Sequence, residues 1–352
     1  MIAFKDGLTI GGDSPIRVNC NIGCNKIEDI QSEISKIEFI QSCNELPDMM
    51  MDLSLIELEE PLYNYIKNNL GLPFGVVLSY HRFTKSKGYQ WEDIRDAFLQ
   101  LCYDGVSFVT IHFTADLDLF SRANQIRKIP VTSRGGGMVL YDSRINNRTQ
   151  NIFRENIDEI ANIALKHNVV ISLGTTFRPG TILDACDSVH IDETLRQLSI
   201  CRLLQSKGVK VMVENIGHIT LDKIATHSKL LSKFNAPIMP LGPLPTDAAI
   251  NEDHIANAIG ATFAAYIGCA HIINCVTRYE HSKSAITQDV TIEAIRAAKV
   301  AAHIANLSRN INEANLYDTS ITNNRVKEHC CFADSNNCTR CSTVCPLKLT
   351  SI

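Results

Sequence analysis

Val169-Val170-Ile171-Ser172-Leu173-Gly174 is a short, nearly continuous apolar run, and the turn-forming stretch Thr175-Thr176-Phe177-Arg178-Pro179-Gly180 follows at once. A strand apolar at almost every position is buried on both faces, the situation of a parallel sheet covered by helices. Runs of the same character lie at 17–23, 49–54, 74–80, 108–113, 129–134, 210–214, 237–242 and 271–277. Segments of helical period separate most of them, among them 27–43, 92–103, 154–167, 193–207 and 221–234. This alternation predicts an α/β chain, either a (β/α)8 TIM barrel or a doubly wound open sheet. The polar residues decide between the two. Asn21, Asp52, Tyr80, His112, Arg134, Arg178, Glu214, Asp247 and His281 each fall at, or just past, the C-terminal end of a run. In a barrel those ends share one face, the face that carries active sites, whereas an open sheet gathers only those near its switch point. The expectation is a barrel over 1–309, a polar linker over 310–329 and a cysteine-rich, cluster-binding tail over 330–352. Nine runs for eight places mean that one is a lid, an edge or no strand at all.

The 352 residues, 45% hydrophobic and 20% charged, suffice for one large domain with an appendage. A net charge of −4 offers no basic surface to a nucleic acid. The N-terminus lacks a basic start followed by an apolar stretch, so no secretion signal is read and a cytoplasmic setting is expected. The segment 258–276 holds no Asp, Glu, Lys or Arg, but Gly260, Thr262, Gly268, His271 and Asn274 interrupt it. A buried helix running into a buried strand explains it better than a membrane span.

Thirteen cysteines are an odd count, irregularly spaced, and in a reducing compartment they serve as metal or cluster ligands or as small core residues. Cys20, Cys24, Cys43, Cys102, Cys186, Cys201, Cys269 and Cys275 lie in or beside apolar segments and read as core. The tail differs. Cys338, Cys341 and Cys345, followed by Pro346, are spaced to converge on one centre. Three thiolates on a [4Fe–4S] cluster leave one iron open. Zinc is the rival, and a fourth ligand from Cys330 or Cys331 would close either site.

Three further constellations carry chemistry. Thr132-Ser133-Arg134-Gly135-Gly136-Gly137, placed at a strand end, suits a phosphate: the glycines let backbone N–H groups approach, and Ser133 and Arg134 add donors. Glu214-Asn215-Ile216-Gly217-His218 and Glu280-His281 follow strands, so His218 and His281 could share a divalent metal, Zn2+ or Fe2+. Arg178 and Asp247, in turn-rich segments, could meet substrate hydroxyls or an amine. A metal-dependent barrel hydrolase with a structural zinc tail is the competing class.

Taken in order, these motifs resemble the ThiC family of radical S-adenosylmethionine enzymes. The matching segments are Asn19-Cys20-Asn21-Ile22-Gly23, Met51-Asp52-Leu53-Ser54, Thr110-Ile111-His112, Ser133-Arg134-Gly135-Gly136, Ser172-Leu173-Gly174 and Arg178-Pro179-Gly180. They continue with Val213-Glu214, Gly217-His218, Leu241-Gly242-Pro243-Leu244, Thr246-Asp247, Asp253-His254-Ile255, Val276-Thr277 and Glu280-His281. The resemblance implies a dimeric (β/α)8 barrel and a tail [4Fe–4S] cluster on Cys338, Cys341 and Cys345 that binds S-adenosylmethionine. It also implies a 5′-deoxyadenosyl radical, a reductant such as flavodoxin or ferredoxin, and 5-aminoimidazole ribotide as substrate, rearranged into the pyrimidine phosphate of thiamine. Asn21, Met51, Tyr80, His112, Ser133, Arg134, Gly135, Arg178 and Glu214 would hold that substrate, Glu214 also acting in catalysis, and His218 and His281 would bind a second metal.

The departures matter too. The resemblance leads one to expect x4 spacing before the last cysteine, where this chain has x3; aspartate at Thr175; tyrosine at Glu252; Gly-Pro at Asn215-Ile216; and a pair beginning with proline at Arg278-Tyr279. Thr175 and Glu252 are expected to face the substrate, Glu252 repelling its phosphate. A divergent paralogue follows as the expectation, with 5-hydroxybenzimidazole synthesis from the same ribotide as the alternative.

Overall fold

The computed structural model describes residues 1–282, 284–326 and 341–349. An antiparallel hairpin, β1 (Ile2–Ala3) and β2 (Thr9–Ile10), opens the chain. Eight parallel strands follow: β3 (Arg17–Ile22), β4 (Met49–Asp52), β5 (Phe74–Val77), β6 (Phe108–Ile111), β7 (Val170–Leu173), β8 (Val211–His218), β9 (Ile238–Leu244) and β10 (Ile272–Asn274). They form one sheet in the order β10-β3-β4-β5-β6-β7-β8-β9, curled into a nearly closed barrel. The seam lies between β9 and β10. Pro240 of β9 has no N–H to give a ladder, and the seam is carried instead by His271 N–H donating to Ile238 O (2.8 Å) and Asn274 Nδ2 donating to Pro240 O (3.0 Å).

Alternation along each strand supplies two layers. Met49, Met51, Val77, Phe108, Val170, Met212, Met239 and Ile272 make a buried cluster together with Phe4 and Ile10 of the hairpin region. Phe4 stacks on Phe108, ring centroids 5.4 Å apart. Gly75 makes room for that ring, since a Cβ there would lie 2.2 Å from it. Intervening residues such as Met50, Val76, Val109, Ile111, Ile171, Val211 and Val213 belong to the larger core formed with the surrounding helices. An apolar residue at every position is therefore what this architecture requires.

The surrounding helices include Ile30–Ser42, Trp91–Asp104, Leu117–Ile126, Arg134–Ile145, Ile157–Lys166, Ser188–Ser206, Leu221–Leu231, Asp253–Tyr266 and Gln288–Ser308. Asp116, Ser133, Asp187 and Thr287 cap four of them with side-chain oxygens that accept backbone N–H bonds. Among the described residues no helix is long and apolar enough to cross a membrane; 258–276 is the end of a helix followed by β10.

Three expectations need correction. The run 129–134 is not a strand: Asp184 accepts the Lys128 and Ile129 N–H groups that a sheet would use, and Ser133 then starts a helix. The segment expected as helix over 154–167 is two helices, Ile152–Glu155 and Ile157–Lys166. The stretch expected as a linker carries a helix, Asn312–Val326, tied back by a hydrogen bond between Asp318 and His303. Its asparagines suggested a loop, but tertiary contacts outweigh that weak local preference.

Candidate active site

The C-terminal ends of the strands gather most of the expected residues. Glu214, on β8, points into the barrel, where its Oε1 accepts from Thr110 Oγ1 (2.6 Å) and Ser172 Oγ (3.1 Å) of the two preceding strands. Burial pushes its carboxyl up, while Thr110, Arg178 and Ser172 hold it back. Arg178 leaves β7 in the loop whose Thr175 carbonyl it binds (3.1 Å). Burial presses its guanidinium pKa down, and Glu214, Tyr80, Glu193 and Glu280 oppose that. Tyr80 ends the turn after β5; burial raises its hydroxyl against the pull of Arg134 and Arg178, and the Arg134 guanidinium stands 5.9 Å from its ring centroid. The result is a mixed-charge cluster with two guanidinium groups, suited to an anionic, hydrogen-bonding ligand.

His112 follows β6 and is buried between two glycines. A Cβ on Gly135 would lie 2.6 Å from its Cε1, and one on Gly174 would lie 2.9 Å from its Cδ2. Its Nε2 meets Ser133 Oγ at 2.9 Å, while its Nδ1 and the nearby Ser79 Oγ have no protein partner among the described residues. Burial, helped by Arg178, pushes His112 down to about 3, so the ring is neutral. Ser133 was expected at a strand end; it is the N-cap of the helix Arg134–Ile145, and its Oγ accepts from Gly136 N–H (3.0 Å). The helix start still offers backbone N–H groups and a positive dipole end beside Arg134, so the anion reading keeps a physical basis. Arg134 donates to Asn25 Oδ1 (3.0 Å).

His218 and His281 converge, their Nε2 atoms 3.1 Å apart. A bulge in the β8–β9 pairing between Ile216 and His218 re-aims His218. Gly217 permits this, with φ +113 and a Cβ position only 2.5 Å from Pro179 O. Behind the rings, His218 Nδ1 is 2.7 Å from Asp247 Oδ1 and His281 Nδ1 is 3.2 Å from Asp253 Oδ1. In the tautomer with each Nδ1 proton on its carboxylate, both Nε2 lone pairs are free to share one cation. The donor set therefore fits a divalent metal. Asp247 is not a free substrate contact: it positions His218 and also accepts from Thr181 Oγ1 (2.6 Å) and Ile182 N–H (3.0 Å). Glu280, Asp247 and Asp253 are the members of this mouth that motif reading left without these roles. Glu280 is exposed at the mouth, with His281, Arg178 and Arg134 as the cationic or ionisable groups around it.

Asn21 ends β3 among amides, accepting from Asn19 Nδ2 (2.8 Å), and Met51 lies in the interior cluster below the mouth. Asp52 faces out of the barrel and holds the following loop through Ser54 and Tyr63. Cys341 and Cys345 flank a short 3-10 turn, Ser342–Val344. Cys338, Cys330 and Cys331 lie outside the described residues.

Residues 4–331 match the model of the Radical SAM ThiC family. The chain belongs to that family. It is 35% identical over 314 residues to a phosphomethylpyrimidine synthase of Sulfurisphaera tokodaii, covering 86% of this chain and 72% of that protein. Proteins of the same name from Pyrobaculum aerophilum and Carboxydothermus hydrogenoformans are 31% and 32% identical, covering 90% and 87% of this chain and 74% and 72% of theirs. The family is one of enzymes acting on small molecules, and membership implies a [4Fe–4S] cluster and S-adenosylmethionine.

Within the family frame, two departures change meaning. Thr175 does not face a substrate: it is fully buried and donates to Glu193 Oε2 (2.6 Å). Glu252 is not a bare charge against a phosphate. It lies 3.6 Å from Arg278 Nη2, and Arg278 Nε in turn lies 2.8 Å from Glu293 Oε2. Two departures, at 252 and 278, thus form one charge pair.

Proposed function

We propose that this chain is a phosphomethylpyrimidine synthase-type carbon–carbon lyase, rearranging 5-aminoimidazole ribotide or a close relative into a pyrimidine phosphate for thiamine. The observation that carries the reading is the convergence, at one barrel mouth, of the His218–His281 pair with the Arg178–Glu214–Tyr80 cluster, in a chain of this family.

Arg134 and the N-terminal turn of the helix Arg134–Ile145 bind the ribotide phosphate, with Ser133 fixing that turn as its cap. His112, locked neutral between Gly135 and Gly174, offers ring nitrogen to the imidazole or ribose without adding charge. Arg178 and Tyr80 orient the ligand from the opposite loops, and Asn21 and Met51 complete the floor. Glu214 is held by Thr110 and Ser172 so that its second oxygen can accept a ligand proton. His218 and His281 hold Zn2+ or Fe2+. Cys338, Cys341 and Cys345 hold the [4Fe–4S] cluster, which with S-adenosylmethionine supplies a carbon-centred radical when reduced by flavodoxin or ferredoxin. The barrel walls exclude water from the reacting carbon. We further propose a homodimer in a reducing, cytoplasmic setting, organised as barrel, connecting segment and cluster tail.

Anaerobic reconstitution with iron and sulfide, followed by reductant, S-adenosylmethionine and the ribotide, tests this by mass spectrometry. The pyrimidine phosphate is expected, and Cys341→Ala abolishes cleavage of S-adenosylmethionine. A benzimidazole product would move the chain to the alternative synthase. Zinc alone, with no acid-labile sulfide after reconstitution, would support the hydrolase class instead.

A further inference from the structure

A second group of soft ligands lies outside the mouth. Cys186 sits in the loop before the helix Ser188–Ser206, His190 in that helix's first turn, and His227 on the helix Leu221–Leu231. Cys186 Sγ and one ring nitrogen of each histidine lie within 4.8 Å of one another, the one such trio among the described residues. Both histidines are buried and Cys186 is half-buried, so the trio has a dry floor and an opening to solvent.

Asn215 sets the tautomers. Its Oδ1 accepts from Ile216 N–H (2.7 Å) while its Nδ2 donates to Gln197 Oε1 (2.8 Å), which fixes which end is oxygen. That same oxygen meets His190 Nε2 at 3.3 Å and His227 Nε2 at 3.0 Å. An oxygen acceptor requires the proton on both Nε2 atoms, so both Nδ1 atoms carry lone pairs. The rings stack with centroids 4.2 Å apart. The His190 lone pair has only a long bond from Cys186 N–H, 3.3 Å. Metal-bound histidines are held in this way, with the far N–H anchored on an oxygen.

We infer that Cys186, His190 and His227 form a binding site for a thiophilic divalent cation, Zn2+ first, in the barrel wall and separate from the His218–His281 pair. Binding forms one Zn–S and two Zn–N bonds, releases the Cys186 proton to solvent, and leaves a coordination position for water. Asn215, one of the departures from the family pattern, anchors both rings. The ion ties the loop before Ser188–Ser206 to Leu221–Leu231, alongside the bonds that Lys223 Nζ makes to Ile182 O (3.3 Å) and Ala185 O (3.1 Å).

Co2+ is the probe, added to the full-length chain in which Cys330, Cys331, Cys338, Cys341 and Cys345 are serine and His218 and His281 are alanine. A near-ultraviolet sulfur-to-cobalt charge-transfer band is expected at one equivalent, lost in Cys186→Ser and in His227→Ala. No band in that background, or a band that survives either substitution unchanged, overturns the assignment. Because a variant could misfold, thermal unfolding of the same background is read with and without Zn2+. A rise in Tm that is abolished by His227→Gln supports the site, and no rise overturns it. Neither readout uses catalytic turnover, so each is independent of the activity proposed above.

Discussion

Thr175→Asp, which restores the residue expected from the family pattern, should destabilise this chain strongly at neutral pH. Thr175 Oγ1 donates to Glu193 Oε2 over 2.6 Å. The other donors to that buried carboxylate are Thr114 Oγ1 (2.7 Å), Thr176 N–H (2.6 Å) and Phe177 N–H (2.8 Å). Aspartate replaces a donor by a second anion at about the same separation. Two charges about 3 Å apart at an effective dielectric of about 20 repel by about 5–6 kcal/mol. The pair escapes by keeping one proton, so the cost at neutral pH is that of raising one carboxyl, about 3–5 kcal/mol for a rise of about 2–4 pH units. Burial already pushes Glu193 up, so the proton stays on the folded pair at a pH where the unfolded chain has lost it. The folded variant therefore gains on its unfolded state as pH falls. Urea unfolding of variant and parent, followed by circular dichroism at about pH 8 and about pH 5.5, measures this. The penalty should be largest at the higher pH and shrink at the lower one. Thr175→Val, which only removes a donor, should cost about 1–2 kcal/mol with little pH dependence. A Thr175→Asp chain as stable as its parent at pH 8, or a penalty equal at both pH values, would refute the account of Glu193.

Buried neutral histidines predict a second pH effect. Burial holds His112 near about 3 and His271 near about 4, while the unfolded chain titrates near about 6.5. Stability should be full above about pH 6.5 and fall by about 1.4 kcal/mol per unit per histidine on acidification towards pH 4; a flat urea midpoint between pH 7 and pH 5 contradicts this. Gly75→Ala should cost about 1–3 kcal/mol, because its Cβ would lie 2.2 Å from the Phe108 ring; unchanged thermal unfolding would mean that the ring yields freely. Asp247→Asn should weaken divalent-metal binding at His218–His281 by about 10–100-fold in chelator competition, and an unchanged affinity would remove Asp247 from its positioning role.

The barrel was legible because a parallel strand buried on both sides must be apolar throughout, and runs such as 169–174 state that directly. Strand ends were less legible: the apolar run stops at Glu214, yet β8 continues through Asn215, Ile216 and Gly217 to His218, where polar residues no longer mark the pattern. The run 129–134 failed because Asp184, 55 or more residues away, takes the backbone N–H of Ile129 at its start and of Lys128 just before it, and no local pattern reports such a partner. The helix at Asn312–Val326 was hidden by polar composition. Glu193 was invisible for a different reason: on the helix Ser188–Ser206 it reads as an ordinary solvated glutamate until the 174–178 loop folds over it. Cys186 likewise read as a small core residue, and only the fold brings His190 and His227 to it.

The position of the departures bears on whether the chemistry has changed. A chain drifting from its reaction would lose groups at the mouth first, yet His112, Arg178, Glu214, His218 and His281 all stand there in mutual register. The barrel substitutions at 175, 215, 252 and 278 each have a partner that answers them. Thr175 supplies the donor that buried Glu193 needs, Glu252 arrives with Arg278, and Asn215 arrives above two histidines whose N–H groups it accepts. Thr175 and Asn215 bring no charge, and the Glu252 carboxylate is met by Arg278. Unpaired changes in a buried polar layer cost about 1–3 kcal/mol each, and answering partners avoid that cost. This pattern favours retention of the family reaction on a rebuilt support over a shift to a different product.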